Sequence, residues 1–237
     1  MYGRPLVEAE FIVRENRFVA LVNREGRKER VHVPNTGRMR ELLVPGNTVL
    51  LLPSDSPGRR TGHDLVAVET PTTRVSVDSR VPNSVVADAL ADGSNPLVSG
   101  YEEVNPERTW GHSRFDFHLG GPRGEALVEV KGCTLVEEGG LALFPDAPTL
   151  RGTRHVRELA EAVEAGLGAY VVVIVQRGDG RVFAPNDRTD PDFGDALRDA
   201  SEAGVEVLAY LTDVTRDGVH LAAPIPVDLF ASMGGVS

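Results

Sequence analysis

Arg114-Phe115-Asp116-Phe117-His118-Leu119, Gly120-Gly121-Pro122-Arg123-Gly124 and Ala126-Leu127-Val128-Glu129-Val130-Lys131 follow one another in the chain. Two apolar runs around a glycine- and proline-rich turn read as a β-hairpin. Side chains alternate faces along a strand, so Glu129 and Lys131 share one face while Val128 and Val130 take the other. The turn then brings Asp116 alongside Glu129. Two carboxylates beside the Val130 carbonyl form an oxygen-rich set suited to Mg²⁺ or Mn²⁺, and a neighbouring lysine can orient an attacking water or steady phosphorane charge. Phosphodiester-cleaving metal sites are commonly built this way. Asp116, Glu129 and Lys131 are therefore the candidate catalytic residues, with Asp116 and Glu129 as the metal ligands.

Composition sharpens the reading of the lysine. Of 25 Lys and Arg, only Lys28 and Lys131 are lysines. Arginine is the default cation, so a lysine inside an apolar strand suggests a need for a compact ammonium rather than a guanidinium fork. The plainer reading is a buried Glu-Lys pair at the end of a core strand. Charged residues are seldom buried without a reason, which favours function.

With 237 residues, 41% hydrophobic and 25% charged, the chain has the composition of a globular protein able to bury one large or two small cores. No apolar stretch reaches membrane-spanning length, the start lacks a signal-peptide pattern, and the single Cys133 excludes an internal disulfide. These features point to the cytoplasm. A net charge of −10 argues at first against nucleic acid, but residues 1–80 hold 13 Lys or Arg against 10 Asp or Glu. The remainder holds 12 against 25. A mildly basic N-terminal part thus precedes an acidic one, and net charge alone does not exclude DNA.

Residues 1–80 read as short strands separated by turn signals: 8–14, 18–22, 30–33, 48–52, 65–70 and a short run at 74–77. This pattern suggests an OB-like barrel, with a short helix over Arg38–Leu43 stopped by Pro45-Gly46. Within Pro34-Asn35-Thr36-Gly37-Arg38-Met39-Arg40, the residues Asn35, Thr36, Arg38 and Arg40 suit a phosphate-contacting loop. A capped turn with solvated arginines is the bland alternative. Arg59 and Arg60, in the loop from Pro53 to His63, add a second basic tip.

Beyond residue 80, Pro82-Asn83-Ser84 opens a helix closed by Gly93. A strand at 101–108 and the carboxylate hairpin follow, then a long loop through Gly139-Gly140 and Phe144-Pro145-Asp146-Ala147-Pro148. A helix over 151–167 leads into the Val- and Ile-rich run 169–175, which reads as a central strand covered on both faces. A helix over 193–203, a strand at 205–211 and a turn into 219–221 complete the chain. Arg114, Arg154, His155 and Gln176 are further candidate nucleic-acid contacts. For His155 and Arg154 the alternative is a solvated helix face, and for Gln176 a capped strand edge. The six histidines lack zinc-ligand spacing.

The order helix, carboxylate meander, helix, buried strand, helix, strand resembles that of PD-(D/E)XK, or restriction-endonuclease-like, domains. Pro34 to Met39, Ser113 to Phe117, Glu129-Val130-Lys131, Leu143 to Ala147 and Val175-Gln176-Arg177 together closely resemble the sugar fermentation stimulation protein family. The resemblance implies an α+β protein, with an N-terminal OB-like β-barrel at 1–80 and a nuclease-like α/β domain with a mixed central sheet at 81–237. It also implies DNA binding linked to regulation of sugar-use genes. Asp88 stands where the leading helix more often carries Glu, and is expected as an outer-sphere metal partner. Two functions are compatible with these residues: a regulatory DNA-binding protein, or an active Mg²⁺-dependent nuclease acting on DNA or RNA. The assembly state is left open, a homodimer included.

Overall fold

The computed structural model describes residues 2–54, 58–92 and 97–231. The N-terminal strands are β1 (Val7–Asn16), β2 (Val19–Arg24), β3 (Arg27–His32), β4 (Thr48–Pro53), β5 (His63–Glu69) and β6 (Arg74–Ser76). They form one sheet in the order β3-β2-β1-β4-β5-β6, and a parallel bridge from His32 to Asp64 joins β3 to β5 and closes the barrel. Phe11, Val22, Val31, Val49, Leu51 and Leu65 fill it.

The helix expected over Arg38–Leu43 is a single turn instead. Met39 takes the left-handed φ of 45°, which does not propagate a right-handed helix, and both Leu42 and Leu43 N–H groups return to its carbonyl. Met39, Leu42 and Leu43 are buried in the barrel core, and that burial fixes the turn.

The C-terminal part contains α1 (Val81–Ala91), β7 (Glu103–Trp110), β8 (Ser113–Gly121), β9 (Gly124–Cys133), β10 (Leu135–Val136), β11 (Leu141–Phe144) and α2 (Leu150–Glu164). They are followed by β12 (Gly168–Val175), β13 (Val182–Pro185), α3 (Pro191–Glu202), β14 (Glu206–Val214) and β15 (Val219–Ile225). Gly93, expected to close the first helix, lies outside the described residues. A mixed sheet in the order β15-β14-β12-β9-β8-β7 runs through the centre. On one face Leu127, Val171 and Val173 pack with Val156 and Leu159 of α2 and Leu197 of α3. On the other, Val128, Val172 and Ile174 pack with Val86 of α1. β12 pairs in parallel with both β9 and β14, which explains its unbroken apolar sequence. The stretch expected as a long loop instead holds β11, which joins β10 and β13 in a small second sheet.

The two units share an apolar seam. Leu50, Val66 and Ala67, on the outer surface of β4 and β5, pack with Val85, Val214 and Val219. This accounts for burial on both faces of β5, where alternation alone would leave one face wet.

Asp64 is nearly buried at the barrel closure, where it accepts hydrogen bonds from His32, Arg59 and Arg80. Burial pushes its carboxyl up, but the bonds from Arg59 and His32 outweigh burial and hold it below the usual range. A depressed carboxyl contributes stability above its unfolded pKa of about 3.9 and loses it as pH falls through the folded value. Because its cationic partners are partly exposed, Asp64→Ala is expected to cost about 2 kcal/mol at pH 7. Urea unfolding should show the difference from wild type shrinking at pH 3; an equal difference at both pH values would contradict this role.

Candidate metal centre

The turn is tighter than the run of glycines suggests, because Gly121 pairs with Gly124 and only Pro122 and Arg123 are left between the strands. Phe117 lies opposite Val128, so one step further along each strand come Asp116 and Glu129. Asp116 Oδ2 accepts the Val130 N–H at 2.8 Å, which ties the carboxylate across the hairpin. Its Oδ1 accepts from Asn83 Nδ2 at 2.6 Å, which anchors the first turn of α1 over the pair. Burial, reinforced by the charge of Glu129, raises the Asp116 carboxyl above its ordinary range.

Glu129 is 4% exposed. Its Oε1 accepts from Lys131 Nζ at 2.6 Å and from His155 Nδ1 at 2.7 Å. Burial opposes ionisation, yet the hydrogen bond from His155 and the charge and hydrogen bond of Lys131 together hold the carboxyl below the usual range. Its second oxygen, Oε2, is buried and has no hydrogen-bond partner among the described residues. A buried carboxylate oxygen without a donor is costly, and a hard cation is one group that would satisfy it.

His155, 2% exposed, reaches Glu129 from α2 with its ring tilted against Phe115 at 5.6 Å. Arg151 Nε donates to His155 Nε2 at 3.2 Å, so the proton belongs on Nδ1 and the ring donates it to Glu129. The sequence expectation of a phosphate contact is corrected here: His155 is buried behind the carboxylate and orients it. Arg154 next to it is exposed.

Asp88 is also corrected. It lies five residues beyond Asn83, about 140° round the helix, and lines a groove with Val85, Ala89, Val219 and His220. Asn83 is the α1 residue that meets Asp116. Among the described residues no group of three or more His, Cys, Asp and Glu is placed as a metal shell. A cation at Asp116 and Glu129 would therefore keep several waters or a phosphate oxygen, as Mg²⁺ commonly does.

The other candidates divide into braces and exposed residues. Gln176, 1% exposed, donates through Nε2 to the carbonyls of Ser76 and Asp78, each at 3.1 Å, so it clasps the segment between the two units and is not a surface contact. Asn35 holds its own loop, donating to the Val77 carbonyl at 3.0 Å and accepting from Gly37 N at 2.7 Å. Arg59 is paired with Asp64 and Arg114 with Glu107. Thr36, Arg38, Arg40 and Arg60 are exposed. Arg38 donates its backbone N–H to Asp146 Oδ2 at 2.8 Å, joining the barrel loop to the loop before α2. Asn83, Arg151 and Asp146 are the site residues that sequence reading did not single out. Cys133 is buried with its thiol pushed up to about 12 by desolvation, the state of a core residue rather than a nucleophile.

An OB barrel docked on a restriction-endonuclease-like domain, with a carboxylate pair and lysine on its central hairpin, defines a two-domain, nuclease-like class of protein. Residues 12–77 match the SfsA N-terminal OB domain, and residues 80–218 match the sugar fermentation stimulation protein RE domain. The chain belongs to the sugar fermentation stimulation protein family. It is 43% identical over 225 residues to a sugar fermentation stimulation protein homolog of Clostridium botulinum, covering 94% of this chain and 97% of that one. To the homolog of Desulfitobacterium hafniense it is 46% identical over 222 residues, with 94% and 96% covered. The structure of Pyrococcus furiosus SfsA in complex with Ca²⁺ superposes with a TM-score of 0.87 at 30% identity, covering 96% of this chain and 98% of that one. Among the described residues no helix is long and apolar enough to cross a membrane.

Proposed function

We propose that the protein is a cytoplasmic nucleic-acid-binding protein, with DNA as its main partner, that holds a divalent cation at Asp116 and Glu129 where the bound backbone passes. Residues 1–80 form the gripping unit and residues 81–237 the metal-bearing one. The observation that carries this reading is Glu129 Oε2, buried without a partner among the described residues and beside a second carboxylate. The Ca²⁺ held by the Pyrococcus furiosus relative supports a divalent cation in this family.

When bound, Mg²⁺ or Mn²⁺ would supply electrostatic attraction for a phosphate oxygen. The chain's own residues do the rest. Asn83 and the Val130 N–H fix the rotamer of Asp116, while His155 and Lys131 fix that of Glu129. Arg38 and Arg40 supply exposed cations for the phosphate backbone. Regulation of sugar-use genes is the biological setting that family membership suggests.

A second reading, phosphodiester hydrolysis, is favoured by Lys131. Its ammonium is held 2.6 Å from Glu129, so it stands where it can orient a water or neutralise developing charge. Duplex and single strands titrated across salt concentrations test the binding. Affinity should fall steeply as salt rises, and Arg38→Ala with Arg40→Ala should weaken it and flatten the salt dependence. Unchanged affinity in the double variant would remove the barrel as the gripping surface. Incubation of DNA and RNA with Mn²⁺ tests the chemistry: Lys131→Met should keep cation binding and lose cleavage.

A further inference from the structure

The junction between the barrel and the nuclease-like domain contains a cavity of about 410 Å³. Arg17, Asn35 and Thr36 form its barrel wall, the Phe144 to Thr149 loop faces them, and Gly132 and Gln176 form the floor. Gly132 directly follows Lys131, so the floor continues the strand that carries the cluster. A Cβ at Gly132 would stand 2.6 Å from Gln176 Oε1 and 2.8 Å from Pro82 Cγ, so the amide oxygen lies over a bare glycine. Gln176 spends its Nε2 on Ser76 and Asp78, while Oε1 has no protein donor among the described residues. Asp146, the carboxylate of the lining, is turned to the Arg38 N–H.

The lining residue Arg17 and the neighbours in sequence of Arg17, Gly37 and Thr149 bring cations and apolar side chains together. Arg17 and Arg38 are exposed, and neither guanidinium is paired with a carboxylate among the described residues. Phe18, next to Arg17, is 49% exposed, and Leu150, next to Thr149, is 86% exposed. Arginines interleaved with exposed apolar side chains suit a strand whose bases are unstacked and available. Cavities of about 300–1,000 Å³ hold molecules the size of a nucleotide. A duplex, whose major groove alone is about 12 Å wide, is too broad to enter.

We propose that this junction groove is the path of a single nucleic-acid strand, with one nucleotide seated between the Asn35–Thr36 wall and the Phe144–Thr149 loop and its neighbours against Phe18 and Leu150. The proposal rests on the nucleic-acid reading above and narrows it to single strands, DNA or RNA, or to a nucleotide drawn out of a duplex.

Fluorescence anisotropy of the full chain in EDTA tests it, using a labelled 12-nucleotide DNA strand, the RNA of the same sequence, and the blunt DNA duplex. Either single strand should bind about tenfold more tightly than the duplex. Phe18→Ala should weaken strand binding about tenfold, the loss of one stacked base, and leave duplex binding nearly unchanged. Ala147→Trp should fill the groove and do the same, with an unchanged circular dichroism spectrum and Tm as proof of an intact fold. Duplex binding as tight as strand binding, with both unaffected by the two variants, would overturn the strand path and leave the nucleic-acid reading in place. Binding of none of the three probes would overturn both.

Discussion

Replacing Glu129 by Gln is expected to abolish divalent-cation uptake while leaving the fold intact. Glutamine keeps the size of the side chain and can still accept from Lys131 and His155, so packing at β9 changes little. It removes the charge and the buried, unpartnered Oε2. Asp116→Asn should act in the same direction, because an amide is a poorer ligand for a hard cation than a carboxylate. Changes to residues that only orient a ligand cost about 10–100-fold in metal affinity, and that is the range expected for His155→Gln, with the two carboxylate variants losing more. Calorimetric titration with Mn²⁺ orders the three. Equal affinity in wild type and Glu129→Gln would show that the orphaned oxygen holds no cation.

The second large effect falls on the clasp between the domains. Gln176→Leu removes the side-chain donor from the buried Ser76 and Asp78 carbonyls, of which that of Asp78 keeps the Val81 N–H at 3.2 Å. The backbone bond from Ser76 N to the Gln176 carbonyl, 2.9 Å long, survives the substitution. A loss of about 2 kcal/mol follows, which for a chain of this length lowers Tm by about 4–8 °C. Thr36→Ala, at an exposed position, should stay within about 0.5 kcal/mol of wild type. Thermal unfolding followed by circular dichroism compares them, and an unchanged Tm for Gln176→Leu would remove the clasp as a source of stability.

The parts of the molecule legible in sequence are those whose signal is local. The carboxylate hairpin is one, because a glycine-rich turn between alternating runs fixes which residues meet. The central strand 169–175 is another, since only a strand covered on both faces is apolar throughout. β11 and β13 were not legible: each has four residues, and one lies in a segment dense with glycine and proline that reads as loop.

Residues whose role depends on a partner far along the chain differ between sequence and structure in a consistent way. Gln176 and His155 are polar residues beside arginines, which locally suggests a surface contact, yet their partners lie 100 and 26 residues away and bury both. Asp88 follows as a metal partner from its place in the leading helix, whereas helical phase gives that position to Asn83. The phase was available in the sequence; the direction from which α1 meets β8 was not. Arg59 likewise follows from its loop as a free cation, but closure of the barrel sets it against Asp64.

The central claim is that the Asp116 and Glu129 carboxylates hold a divalent cation. Isothermal titration of Mn²⁺ into wild-type protein stripped with EDTA, in the absence of nucleic acid, tests it most directly. One cation bound per chain, with the signal lost in Glu129→Gln, is the predicted result. Absence of binding heat in a folded wild-type sample, repeated at a second temperature with Mn²⁺ and with Ca²⁺, would contradict the claim and leave the carboxylate pair as a buried structural feature of the hairpin.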